Sequence, residues 1–306
     1  MQHFSFLSND GCTTLTAYQS IPSGEIRAML QISHGMCEYF MRYEGFADFL
    51  TAHGFLVFGH DHIGHGNSAP TPNDLGFTKS GGGADVLVED VHNLSLHMKK
   101  QYPNLPLILF GHSMGSFIAR AVLEDYGNDY KAAIICGTGG PDTPAAAGKL
   151  MASMMMLFCG ERHRSKTLKS IAFAGYNKTF EKGCDKNAWL TRDAAVVECY
   201  NADPFCTYTF TLRAYHDLFT LVARVNNRKS VDQIPKDLPL LVVSGADDPV
   251  GSWGKGVKLV SEMLEKAGVK DLTTRLYPDM RHEILNETDK ERVWNEICQW
   301  MQSKQA

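Results

Sequence analysis

The chain has 306 residues, 44% of them hydrophobic, enough to bury one large core or one catalytic domain with a smaller insertion, and this excludes a disordered polypeptide. A formal charge of −4, with Lys and Arg scattered along the sequence, supplies no basic field for a phosphate backbone and excludes nucleic acid as the partner. Eight cysteines without CxxC pairs argue against a zinc site or a disulfide framework, and read as mostly buried free thiols in a reducing cytoplasm.

The N-terminal MQHFSFLSNDG lacks the basic region and apolar stretch of a secretory signal. Phe4 and Phe6, then Thr14, Thr16 and Tyr18, alternate around Asn9, Asp10 and Gly11, which predicts an antiparallel hairpin. A third strand over Ile26 to Ser33 is followed by Phe46, Phe49 and Leu50 at helical spacing and a short strand from Phe55 to Gly59. Leu87, Val91, Leu94 and Met98 predict an amphipathic helix over about 84–101, ending before Pro103. The next strand, Pro106 to Phe110, runs into GHSMG, with a helix carrying Ile118, Ala121 and Val122 beyond it and a strand at Ala132 to Cys136. From Gly140 to about Asn227 the rhythm stops, which predicts an inserted helical cap over 141–227 on a catalytic core of 1–140 and 228–306. Strands at Leu240 to Ser244 and Leu272 to Tyr277 flank a helix stopped by Gly268, and Val293, Ile297 and Trp300 mark the last helix. Strands alternating with helices imply a mostly parallel sheet covered on both faces.

GHSMG fits the GxSxG pattern, in which a serine sits on a sharp strand-to-helix turn and small neighbours avoid clashes, so Ser113 is the candidate nucleophile and Gly111 and Gly115 its supports. A serine hydroxyl needs a base to take its proton, and the base needs a carboxylate to hold its tautomer. These follow the serine in the order acid, histidine at the ends of later strands. Asp247 and Asp248 both stand after LPLLVVSG and compete for the first role. Of twelve histidines, His282 lies between the last strand and the last helix, where the base belongs. Backbone N–H groups must meet the developing oxyanion, each worth about 10² to 10³ in rate. The candidates are Met114, after the nucleophile, and Met36, in a His34-Gly35 loop after the third strand, where a Cβ on Gly35 would crowd the turn.

Taken together, HGMCEY at 34–39, GHDHIGHGNS at 59–68, GHSMG at 111–115, YNADP at 200–204, GADDPV at 245–250 and MRHEILNE at 280–287 make the chain resemble the monoacylglycerol lipase and lysophospholipase branch of the α/β-hydrolases, also described as serine-aminopeptidase-like hydrolases. The resemblance implies an eight-stranded, mostly parallel sheet with an inserted helical cap, and a lipid or small-molecule ester as substrate. The family's GxxD motif puts the acid on Asp248, and its base falls on His282. It implies no metal and no cofactor, so His60, His62 and His65 read as loop packing rather than zinc ligands. Within the cap, Met151, Met154, Met155 and Phe158 form a candidate acyl pocket or a lid that transiently touches a membrane surface, although the apolar run Leu150 to Cys159 is too short to span one. Packing of that face on the body is the plainer reading. Phe205, Tyr208, Phe210, Tyr215 and Phe219 could instead line an aromatic pocket, or form cap core. The same machinery would serve a short-chain or aromatic-ester esterase, an aminopeptidase using a cap carboxylate such as Glu161, Glu181, Asp185 or Glu198, an acyltransferase, or a ligand-binding protein without turnover. The motifs carry no signal for an oligomeric state.

Overall fold

The computed structural model describes residues 1–304. The expected hairpin is β1 (Gln2–Leu7) paired antiparallel with β2 (Thr14–Ser20). β3 (Ala28–Ser33), α1 (Glu44–Ala52), β4 (Phe55–His60), α2 (Gly83–Gln101), β5 (Leu107–His112), α3 (Met114–Tyr126) and β6 (Ala132–Cys136) then alternate as expected. Four helices follow with no strand among them: α4 (Ala145–Cys159), α5 (Lys166–Ala172), α6 (Ala194–Ala202) and α7 (Leu212–Val225). After the short α8 (Arg228–Val231) the chain returns to the sheet with β7 (Leu240–Gly245), α9 (Lys255–Ala267), β8 (Leu272–Tyr277) and α10 (Lys290–Ser303). Gly268 ends α9 in the left-handed conformation, φ 95°, which a side chain would resist.

One sheet of eight strands results, ordered β1-β2-β4-β3-β5-β6-β7-β8, antiparallel at β1, β2 and β4 and parallel from β4 onwards. Its central strands are fully buried and send successive side chains to opposite faces. Leu107 and Leu109 join the core beneath α2, α3 and α9, whereas Ile108 and Phe110 join the core beneath α1 and α10. The parallel strands all end at one edge, so the loops after β3, β5, β7 and β8 converge there.

The helices between β6 and β7 sit on this body through α7, which packs against α2, α3 and α4. Arg120 of α3, 1% exposed, ties both ends of the insertion. It donates to Thr138 Oγ1 and the Gly139 carbonyl where the chain leaves the sheet, and to the Val225 carbonyl and Asn226 Oδ1 where it returns. The cysteines are all free, but only Cys37, Cys136, Cys206 and Cys298 are buried. Cys12, Cys159 and Cys199 are exposed and Cys184 is half-buried, because the hairpin turn and the outer faces of the inserted helices lie in solvent. Among the described residues no helix is long and apolar enough to cross a membrane.

Candidate active site

Ser113 occupies the abrupt junction of β5 and α3 with φ 53° and ψ −120°, a conformation that an ordinary residue adopts only when its surroundings impose it. The imposition is visible in its glycines. A Cβ on Gly115 would overlap the Ser33 carbonyl oxygen, and one on Gly111 would overlap the Gly115 carbonyl, both rigid backbone. The Ser113 N–H is anchored to the Cys136 carbonyl of β6 at 3.0 Å.

Of the two competing aspartates, Asp248 is the one that meets the histidine. His282 Nδ1 lies 3.0 Å from Asp248 Oδ1, both side chains being almost wholly buried. Asp248 Oδ2 accepts from Ser244 Oγ at 2.8 Å and its Oδ1 from the Val250 N–H at 2.9 Å. Burial alone would raise this carboxyl, but His282 and the two further donors outweigh it and hold Asp248 below the ordinary carboxylate range. Asp247 is half-buried at the surface.

Ser113, Met114, Gly35, Met36 and His282 line one cavity of about 500 Å³. Met114 is the first residue of α3, so its N–H has no carbonyl one turn earlier to take it. Gly35 must be glycine, because a Cβ there would come within 2.6 Å of Glu38 Oε1 and 3.0 Å of Ser113 Cβ. The rest of the wall is mostly apolar and aromatic, with Phe173, Tyr176, Trp189, Tyr208, Tyr215 and Phe219 from the insertion. The methionine run does not reach it. Met151 and Met155 pack against the hydrophobic core that runs through the inserted helices and the body, while Met154 and Phe158 point outward, Phe158 at 89% exposure. With only a few apolar positions turned inward, α4 uses one stripe for packing and leaves a second in water. Of the aromatic set, Tyr208, Tyr215 and Phe219 line the cavity, Phe210 is core, and Phe205 meets Tyr39 edge to face.

The histidines His34, His60, His62 and His65 are buried and bonded among themselves and to backbone. His62 Nε2 meets Ser33 Oγ at 3.0 Å, and His34 accepts the His62 N–H at 2.9 Å. No group of three or more potential metal ligands exists among the described residues.

Two features escape a reading by motif. Glu38, 3% exposed, accepts from the Gly35 N–H, Tyr43 OH and His112 on one oxygen and from Arg42 on the other, and Arg42 grips Glu283 with two bonds of 2.7 and 2.8 Å. Burial opposes the charge of Glu38, yet His112 and Arg42 keep its carboxyl well below the usual range. Glu38 and Glu283 stand inside the quoted HGMCEY and MRHE stretches, the only signal that pointed to them. The second feature is a strap. The carbonyls of Trp189 and Leu190, in the insertion, accept the N–H groups of His282 and Glu283 at 3.3 and 2.7 Å, and Arg281 donates to the Ala188 carbonyl at 2.6 Å.

Residues 24–289 match the family described as serine aminopeptidase, S33. The chain is 28% identical to a monoglyceride lipase of Homo sapiens, over 93% of this chain and 86% of that one, and 28% identical to a monoacylglycerol lipase of Mycolicibacterium smegmatis, over 92% and 90%. Among solved structures it is similar to a highly thermostable carboxyl esterase from Bacillus coagulans in complex with glycerol, with a TM-score of 0.94 and 28% identity, covering 100% of this chain and 99% of the esterase.

Proposed function

The chain belongs to the serine aminopeptidase S33 family, and on that premise we propose that it is a serine carboxylic-ester hydrolase of the monoacylglycerol lipase type, working through an acyl-enzyme on Ser113. The observation that carries this reading is the buried His282–Asp248 pair sharing one mostly apolar cavity with a strained Ser113. With Asp248 accepting from Nδ1–H, the His282 Nε2 is free to take a proton. Ser113 Oγ attacks the ester carbonyl as His282 Nε2 removes its hydrogen, and the oxyanion turns to the N–H groups of Met36 and Met114. The carbon–oxygen bond to the alcohol breaks and the alcohol leaves with the proton from His282. Water then enters and gives a proton to the same nitrogen as its oxygen attacks the acyl carbon; the bond from that carbon to Ser113 Oγ breaks, Oγ takes the proton back from His282, and the fatty acid leaves.

An aminopeptidase would need a free carboxylate to hold the substrate's amine. The carboxylates on the cavity wall, Glu38 and Glu283, are both engaged by Arg42, and Glu161 pairs with Arg213 away from it, so an ester is favoured. We take residues 141–227 as a cap and 1–140 with 228–306 as the core, and the free thiols fit a reducing cytoplasm. The outer face of α4 and α5, with Leu150, Met154, Leu157, Phe158 and Ile171 all at least half exposed beside Lys166, suits transient contact with a lipid–water interface.

The test is direct. Ser113→Ala removes both turnover and labelling by a fluorophosphonate probe, and a monoacylglycerol is cleaved in preference to an aminoacyl nitroanilide. Esterase activity surviving in Ser113→Ala overturns the reading, and preference for the anilide overturns the substrate class.

A further inference from the structure

His112, the residue before Ser113, has both ring nitrogens facing atoms that only accept hydrogen bonds. Its Nδ1 is 3.1 Å from Glu38 Oε1 and its Nε2 is 3.3 Å from the backbone carbonyl of His282. A neutral imidazole owns a single N–H, so one of these contacts would set two lone pairs against each other in a site that is 5% exposed. Glu38 cannot supply the missing hydrogen, because the donors gathered on it, from Gly35, Tyr43 and Arg42, all favour its ionised form.

Charge balance leads to the same state. The groups facing the ring are Glu38, Arg42 and Tyr43 from the segment after β3, and His282 and Glu283 from the loop after β8. On the remaining side Gly137 offers only backbone. Two buried carboxylates, Glu38 and Glu283, share one guanidinium. A neutral His112 would leave the group with an uncompensated negative charge in the interior, whereas a charged one closes it to neutrality. Burial works against that charge, but the Glu38 carboxylate and then Glu283 prevail and raise the affinity of His112 for its second proton.

We propose that His112 is a standing imidazolium and a positioning residue, which bolts the loop carrying Met36 to the loop carrying His282 and places a fixed positive charge beside the catalytic base. One arm reaches Glu38, which holds the Gly35 N–H next to the Met36 donor. The other holds the His282 backbone, and the two imidazole rings lie 4.7 Å apart between centroids.

This inference rests on His282 being the base, yet its first test needs no turnover. Neutron diffraction from deuterium-exchanged crystals near neutral pH, or ¹⁵N-histidine NMR of the intact chain, should find hydrogen on both ring nitrogens of His112. One bare nitrogen overturns the proposal whether or not the protein is an esterase. The second test is His112→Gln, which keeps a polar side chain without charge. The expected result is kcat lower by about tenfold with KM changed by less than about threefold. A folded variant that still labels with the fluorophosphonate probe and keeps the kcat of the wild type overturns the positioning role. Should His112→Gln fail to fold, the state of the wild-type ring decides.

Discussion

At the scale of single residues, neighbours in sequence do different work. Asp248 and Asp247 are adjacent, but only the first points at His282. Asp248→Asn should lower kcat by about 10⁴, because an amide cannot hold the imidazole in the needed tautomer. Asp247→Asn should stay within a few-fold of wild type in the same steady-state assay. Gly115→Ala is expected to be far more harmful than its one added methyl suggests, since the Ser33 carbonyl in its way is part of β3 and cannot step aside. A loss of at least about 3 kcal/mol in denaturant unfolding, or no recoverable folded protein, is the expected outcome. The placement of Ser113 and His282 was legible because each follows a strand and precedes a helix, and those have a periodic signature. Choosing Asp248 over its neighbour needed the family motif, and in the structure Asp248 is the one that lies against His282. Glu38, Arg42 and Glu283 were not legible as a unit: buried polar networks are assembled from loops, where no periodicity marks which side chain turns inward.

At the scale of elements, strand and helix positions in the core followed from alternation and spacing, with bounds off by a residue or two. The helix α4 was harder, because a run such as LMASMMMLFC is apolar on nearly every side and does not declare which stripe is packed. Ala152 is its buried centre and Leu157 and Phe158 its exposed end. The double variant Leu157→Ser, Phe158→Ser should therefore reduce partition onto phospholipid vesicles in a sedimentation assay, while cleavage of a soluble short-chain ester stays within about twofold. Arg120 acts between elements. Replacing it with Ala strands four oxygens at the two ends of the insertion and should cost about 3 kcal/mol in denaturant unfolding. Lys should not restore it, since one ammonium cannot span both ends.

For the molecule as a whole, the buried histidines set the response to acid. Burial, first, and mutual repulsion keep His34 and His60 at about 3, and burial keeps His65 at about 4, against 6.5 in the open chain. Below 6.5 the unfolded chain takes up protons that the folded one refuses, so the stability these residues contribute is complete above that value and is lost as pH falls towards 4. Asp61 and Asp90, lifted by burial to about 6, work in the opposite sense and favour the fold most below 3.8, and the raised Glu124, Asp217 and His112 act with them, so they offset part of the loss. Urea unfolding should show a net fall in stability, on the order of 1 kcal/mol, between pH 7 and 5.5. A flat profile across that range would mean the cluster is solvated in a way its burial denies.

The order of the strands carries a consequence in time. The sheet is read almost outward along the chain from β3, so β7 and β8, with Asp248 and His282 behind them, are the last pieces to be made and the last to dock. A polypeptide emerging from the ribosome presents Ser113 early, beside a half-built sheet, well over a hundred residues before Asp248 and His282 are added. If Ser113, Asp248 and His282 act together as proposed, synthesis itself serves as the safety catch: termination between residues 113 and 282 releases a fragment that holds the serine without its base.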